Sequence, residues 1–206
     1  MNQHYFTADP TAPHRPGKVR VVTGDVYLEL DTDSGVFSPS RLDPGTRLLL
    51  DSAPPPAPSG DLLDLGCGYG PITCVLASRS PEATVWGVDV NQRALDLTTR
   101  NAAKAGLDNV RAVVDDDPAL PEQFATIWSN PPIRIGKEAL HELLRTWLDR
   151  LAPGGQACLV VARNLGADSL QRWLEDQGWP AARLAARSGY RLLVVDYPKR
   201  RSAGPS

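Results

Sequence analysis

The sequence predicts an α/β fold, a parallel sheet covered by helices on both faces, and three observations carry that prediction. From Asp61 onward, short apolar runs of strand length alternate with segments of helical spacing. Residues suited to helix starts and stops fall between those runs. A glycine-rich loop, Gly66 to Gly70, follows the first of these strands and precedes the first helix, which is where an open parallel sheet binds ligands. Strand–helix–strand alternation leads to parallel pairing with helices packed over the sheet. A chain of 206 residues is long enough for one well-packed domain and short for two.

The elements follow in order. The first residues, Met1 to Gly17, are polar and Pro-rich, without the apolar core of a signal peptide. Val19, Val21, Val26, Leu28 and Leu30 alternate with polar residues around Thr23-Gly24-Asp25, the pattern of a β-hairpin with one buried face. A loop rich in Gly, Ser and Pro leads from Thr32 to Asp43, and residues 44–50 form a short helix with Asp43 as cap and Pro44 at its first position. The prolines between Ala53 and Pro58 exclude helix and inner strand and make a connector. Strands are expected at residues 62–65, 84–88, 110–114, 126–129 and 157–162. The clearest helical spacing is Leu140, Leu143, Leu144, Trp147, Leu148 and Leu151. Pro71 suits a first helical position, Asn91 a cap, and Gly106 and Gly154-Gly155 helix stops. The end reads as an antiparallel hairpin, residues 182–187 and 190–196 around Ser188-Gly189. The expected organisation is an extension over residues 1–52 packed on a domain over residues 53–198. Lys199-Arg200-Arg201 then opens a mobile basic tail over residues 199–206.

Composition excludes several classes. No apolar run approaches the roughly 20 residues that span a bilayer. Cys67, Cys74 and Cys158 have no CxxC spacing and form an odd set, which favours reduced thiols and a cytoplasmic location over a disulfide framework. His4, His14 and His141 are scattered, so no metal site is expected. With a net charge of −2, any nucleic-acid binding must come from a local basic patch.

The run Asp64-Leu65-Gly66-Cys67-Gly68-Tyr69-Gly70 resembles the cofactor loop of S-adenosylmethionine (SAM) enzymes. Glycine permits the tight turn and lets a ligand approach the backbone. Asp64 can receive the α-ammonium group of SAM, directly or through water, whereas it would repel a pyrophosphate. Asp89 ends the next strand, where an acid can bridge two ribose hydroxyls, with Val90 beside it. After the third strand, Asp115-Asp116-Asp117 offers a carboxylate for the adenine amine, Asp116 being the chosen residue. The expected cofactor set is Asp64, Gly66, Cys67, Gly68, Gly70, Asp89, Val90 and Asp116, with Asn130 at its edge.

Asn130-Pro131-Pro132-Ile133 follows the fourth strand, on the same sheet edge, and supplies the expected catalytic residues. A planar exocyclic amine is a poor nucleophile because its lone pair is delocalised. The Asn130 side-chain oxygen and the Pro131 carbonyl can hold its two hydrogens and aim the lone pair at a methyl group. The prolines fix the backbone without adding N–H donors. Alignment of atoms about 3–3.5 Å apart then supplies most of the catalysis, with no metal or covalent nucleophile.

These segments resemble class I SAM-dependent methyltransferases over roughly residues 43–198. The resemblance implies a Rossmann-like, seven-stranded sheet whose last strand is antiparallel. A narrower likeness, to the single-domain small-subunit rRNA guanine-N2 methyltransferases, rests on Ser34-Gly35-Val36-Phe37-Ser38, Leu42-Asp43-Pro44-Gly45-Thr46 and Gly68-Tyr69-Gly70-Pro71-Ile72. Asn130 to Lys137, Arg163 and Gly166-Ala167-Asp168-Ser169-Leu170 extend it. It implies methylation of guanine N2 in rRNA or a small-subunit particle, and no membrane partner. Two-domain members carry a second methyltransferase-like half, for which this chain has no room. The wider family has Tyr or Phe where Ile133 stands, so another group must flank the base; Phe37 is a candidate. Phe37, Arg134, Lys137 and Arg163 are the expected RNA contacts, and Arg15, Lys18, Arg20 and Arg41 could add phosphate contacts on the same face. A glutamine-N5 methyltransferase of release-factor type and a SAM-binding RNA assembly factor without turnover stand as alternatives. Trp147, Trp173 and Trp179 are expected in the core.

Overall fold

The computed structural model describes residues 13–132 and 135–198; Ile133, Arg134 and residues 199–206 lie outside the described residues. The alternating valines and leucines near the start pair as β1 (Gly17–Val22) and β2 (Tyr27–Thr32), antiparallel from Gly17 opposite Thr32 to Val22 opposite Tyr27. Thr23 closes the turn, its N–H donating to the Val26 carbonyl and its hydroxyl oxygen accepting from the Val26 N–H. Val19, Val21 and Leu30 bury one face of the hairpin. Helix α1 (Pro44–Ser52) starts where Asp43 accepts hydrogen bonds from the N–H groups of Gly45 (2.8 Å) and Thr46 (3.0 Å).

The main sheet then forms by alternation: β3 (Ser59–Leu65), α2 (Pro71–Arg79), β4 (Glu82–Val88), α3 (Gln92–Lys104), β5 (Val110–Val113) and β6 (Phe124–Ser129). It continues through α4 (Lys137–Leu148), β7 (Leu151–Ala162), α5 (Ala167–Asp176), β8 (Ala181–Arg187) and β9 (Tyr190–Asp196). The seven strands lie in the order β5-β4-β3-β6-β7-β9-β8. The neighbours from β5 to β7 are parallel, and β9 runs antiparallel to both β7 and β8. This is the Rossmann-like sheet of class I methyltransferases, with the two-stranded hairpin outside it.

The period-2 alternation of strands assigns side chains to two cores. In β3, Leu62 joins the face covered by α1, α2, α3 and the hairpin, whereas Leu63 and Leu65 join the face covered by α4 and α5. Trp147 and Trp179 are buried on the second face, with Trp173 packed half-buried against it. One boundary differs from the sequence reading. Leu151 opens β7 opposite Phe124, and Gly154-Gly155 lie inside that strand, so α4 stops at Leu148 without them. A Cβ at Gly155 would come within 2.9 Å of the Ala125 carbonyl, so close strand approach explains this glycine. Among the described residues, no helix is long and apolar enough to cross a membrane.

Candidate active site

A cleft of about 540 Å³ opens at the carboxyl ends of β3, β4, β6 and β7. The chain order reverses there: β3 has β4 on one side and β6 on the other, which is where open α/β sheets bind ligands. Gly66, Cys67, Gly68 and Tyr69 form one wall, with Asp89, Val90 and Asn91 after β4 and Asp115 after β5. Gly66 and Gly68 have φ of 80° and 59°, and a Cβ on either would meet no atom within 4 Å. Since both line the cleft, the loop leaves room for a ligand against its backbone. Asp89 braces this loop, its Oδ2 accepting from the Gly68 N–H and its Oδ1 from the Asn91 N–H, both at 2.9 Å. Burial raises its pKa and these backbone bonds oppose the rise. Each of its oxygens keeps a second lone-pair site for a ribose hydroxyl. An open backbone cradle beside a braced carboxylate fits SAM.

Three expected cofactor residues, Asp64, Gly70 and Asp116, stand outside the cleft lining. Asp64 is fully buried and does not line the cleft. It shares a face with Leu62, two residues earlier, so its carboxylate lies beneath α2. Its Oδ2 accepts from the Thr73 N–H (2.8 Å) and hydroxyl (2.6 Å), pinning the start of α2, while Oδ1 is buried without a partner among the described residues. Burial pushes its pKa up to about 7, against the opposing pull of the Thr73 bonds. Gly70 is also absent from the lining: it caps α2 at φ 90°, and a Cβ there would come within 2.9 Å of Thr98 Oγ1. Of the acidic triplet, Asp115 lines the cleft, whereas Asp116 is exposed outside the lining.

The other wall carries Asn130, Pro131 and Pro132, just past β6. Asn130 Nδ2 donates to Asp43 Oδ2 at 2.9 Å and to Thr46 Oγ1 at 3.0 Å. A carboxylate only accepts, which fixes the amide with its nitrogen toward Asp43. Both amide hydrogens are thereby used, and Oδ1 is the polar atom Asn130 offers the cleft. Tyr190 packs its ring beside Gly45, and its hydroxyl lies 3.4 Å from Asp43 Oδ1. Phe37 (42% exposed) and Leu165 (48% exposed) also line the cleft.

Of the expected RNA contacts, Phe37 lines the cleft; Lys137, at the start of α4, and Arg163, after β7, are exposed outside the lining. Ile133 and Arg134 lie outside the described residues. Sequence reasoning missed four contributors to the cleft: Asp43 and Thr46, read as a helix start and as part of a family-like segment, and Leu165 and Tyr190. The first two had a signal, since a cap positioned by a loop can face a second partner. A leucine in a short turn and an aromatic in a terminal strand carried none.

Residues 27–193 match the family described as methyltransferase small domain. The uncharacterized protein YbxB of Bacillus subtilis (strain 168) is 34% identical over 198 residues, 94% of this chain and 98% of its own length. Ribosomal RNA small subunit methyltransferase C of Pseudomonas aeruginosa (strain UCBPP-PA14) is 35% identical over 182 residues, 86% of this chain and 52% of its own length. The T. thermophilus 16S rRNA N2 G1207 methyltransferase, solved with AdoMet and guanosine, aligns with a TM-score of 0.74 at 26% identity. That alignment covers 91% of this chain and 52% of the other. The chain therefore spans about half the length of the methyltransferase C relative and nearly all of YbxB.

Proposed function

We propose, for a chain that belongs to the methyltransferase small domain family of SAM-dependent enzymes, methyl transfer to the exocyclic N2 of guanine in small-subunit rRNA. The observation that carries this reading is the amide of Asn130, both of whose hydrogens are held by Asp43 and Thr46. A side chain that can only accept selects an acceptor that donates, an NH₂ group, and disfavours a ring nitrogen without hydrogen. Asn130 and the Pro131 carbonyl then hold the amine's hydrogens and direct its lone pair across the cleft. When bound, SAM supplies a methyl group already activated by its sulfonium. Gly66, Gly68, Asp89 and Val90 hold it, and Asp115, in place of Asp116, is assigned to the adenine amine. Phe37 and Leu165, with Tyr190 deeper in the cleft, flank the base in place of an aromatic at position 133.

The similarity to methyltransferase C and to the G1207 enzyme supports the choice of guanine and of small-subunit RNA. A single-stranded or splayed guanine is the expected form, because pairing hides N2 against cytosine. A ribosomal substrate places the protein in the cytoplasm, consistent with three free, buried thiols.

The test is transfer of labelled methyl from SAM to small ribosomal subunits lacking the modification, followed by nucleoside analysis. N2-methylguanosine is the expected product. Label in a protein glutamine would replace guanine with an amide, and no label anywhere, with SAM bound, would favour an assembly factor. In the same assay Asn130→Ala should lower transfer on the order of 10²-fold or more, as misalignment does. SAM affinity should hold within about twofold; wild-type transfer in this variant would refute the mechanism.

A further inference from the structure

Arg41 is the only cation among the described residues that lines the cleft, against the carboxylates of Asp43, Asp89 and Asp115. No ion pair holds it among the described residues, unlike Arg79, Lys104 and Arg187, which pair with Asp25, Asp31 and Asp51. Arg41 also lines a second groove, beside the outer surface of the hairpin, with Lys18, Arg20 and Arg47. That groove holds one carboxylate, Glu29, which lies 2.7 Å from Lys18 and 3.8 Å from Arg20. Four cations line the groove against that one acid, with Arg47 also 4.0 Å from Asp51, and a local positive excess remains in a chain whose net charge is −2.

The segment that presents Arg41 is braced. Ser38 sits at φ 48°, a conformation uncommon for a residue with a Cβ, and its hydroxyl donates to the Arg41 carbonyl at 2.6 Å. The Thr32 hydroxyl donates to the Pro39 carbonyl at 2.7 Å, tying the same turn to the end of β2. The turn joins the acceptor cleft to the basic groove, and the cation at the junction has no ion-pair partner among the described residues.

We propose that this groove is the track for the phosphodiester backbone of the RNA strand that delivers the guanine, with Arg41 on the phosphate nearest the methylated nucleotide. The inference rests on the RNA reading above and adds where the RNA lies. It gives the chain a grip on RNA from its own hairpin. Phosphate contacts would set the strand's register while the cleft reads the base.

The test measures RNA binding and methyl transfer separately, with the full chain and small-subunit RNA lacking the modification. Arg41→Ala and the pair Lys18→Glu with Arg20→Glu should each weaken RNA binding on the order of tenfold at moderate salt. In Arg41→Ala, log affinity should fall less steeply with log salt, by about 0.7 for one lost single-strand phosphate contact. SAM affinity and Tm should stay at wild-type values. Arg183→Ala, an exposed cation on β8, removes the same charge away from the groove and should change neither binding nor slope. Wild-type RNA affinity in the groove variants would overturn the proposal, as would an equal loss in Arg183→Ala. A fall in SAM affinity in Arg41→Ala would instead assign that cation to the cofactor's carboxylate and also overturn it. Groove-dependent RNA binding without label in RNA would leave the track standing and remove the guanine assignment. A groove effect seen only on an acidic protein substrate would remove both.

Discussion

Asp64 and Asp89 stand at the ends of neighbouring strands, and their surroundings give them different work. Asp89 faces the cleft and braces Gly68; Asp64 is sealed beneath α2 with one oxygen unpaired. Burial raises the Asp64 pKa from 3.8 to about 7, so the folded state binds a proton that the unfolded chain has already released between those values. Stability from this group is fully present below the unfolded pKa and is lost as pH rises through about 7. At 1.36 kcal/mol per pKa unit the loss is roughly 4 kcal/mol by pH 8. Asp64→Asn keeps an acceptor for Thr73 and removes the charge. Thermal unfolding from pH 4 to 8 should show wild-type Tm falling from about pH 4 to 7 and levelling above, with the variant holding level throughout. Parallel curves would mean that Asp64 does not titrate there. The motif around Asp64 was legible in the sequence, but its direction was not, because a motif shows which residues cluster and strand alternation decides which face each takes. The alternation was available, since Leu62 and Asp64 share a parity. The choice between Asp115 and Asp116 depended on loop geometry that no periodicity encodes.

At the level of elements, α1 is as much part of the active site as the loop after β6. Its cap, Asp43, accepts from Gly45, Thr46 and Asn130 through one oxygen, so helix initiation and amide orientation share an atom. Asp43→Asn separates the two roles. Asparagine caps a helix about as well as aspartate, so α1 and Tm should change little. Its NH₂ group, however, removes the demand that the Asn130 nitrogen face this way. Methyl transfer should fall on the order of 10–100-fold in kcat, with SAM affinity unchanged. Transfer at the wild-type rate would show that Asn130 is oriented by something other than its cap. The cap itself was readable, because Asp-Pro before an apolar run is a local signal. Its second partner lies 87 residues away, a tertiary contact that local signals do not contain. Gly154-Gly155 failed for a related reason: glycine pairs mark both helix stops and close strand approach, and the neighbouring strand decided between them.

For the whole molecule, the question is whether the hairpin is an appendage or part of one cooperative unit. Asn101, buried on α3, joins three parts of the structure. Its Oδ1 accepts from the Asp31 N–H at 2.8 Å, and its Nδ2 donates to the carbonyls of Asp31 (2.9 Å) and Tyr69 (2.8 Å). One amide therefore holds the end of the hairpin and the glycine-rich loop against the same helix. We propose that hairpin and sheet unfold together and that their junction supports the cofactor wall. Asn101→Ala would remove the partner of one buried backbone group, the Tyr69 carbonyl, at about 1–3 kcal/mol before relaxation, and of two half-buried groups on Asp31, at less each. The expected result is a single unfolding transition at clearly lower Tm, together with weaker SAM binding. Asp25→Asn serves as the contrast, since it weakens the bidentate pair of the half-exposed Asp25 with Arg79, which also ties the hairpin to α2, and leaves Arg79 its bond to the Leu50 carbonyl. An ion pair of that exposure contributes about 0–1 kcal/mol, so Tm should move little and SAM affinity not at all. If Asn101→Ala lowered Tm without touching SAM affinity, the loop would be held by Asp89 and by Thr98, whose hydroxyl donates to the Gly68 carbonyl at 3.0 Å. Two separate unfolding transitions would make the hairpin a detachable element, and an RNA track on its outer surface would then gain or lose its grip independently of the cofactor.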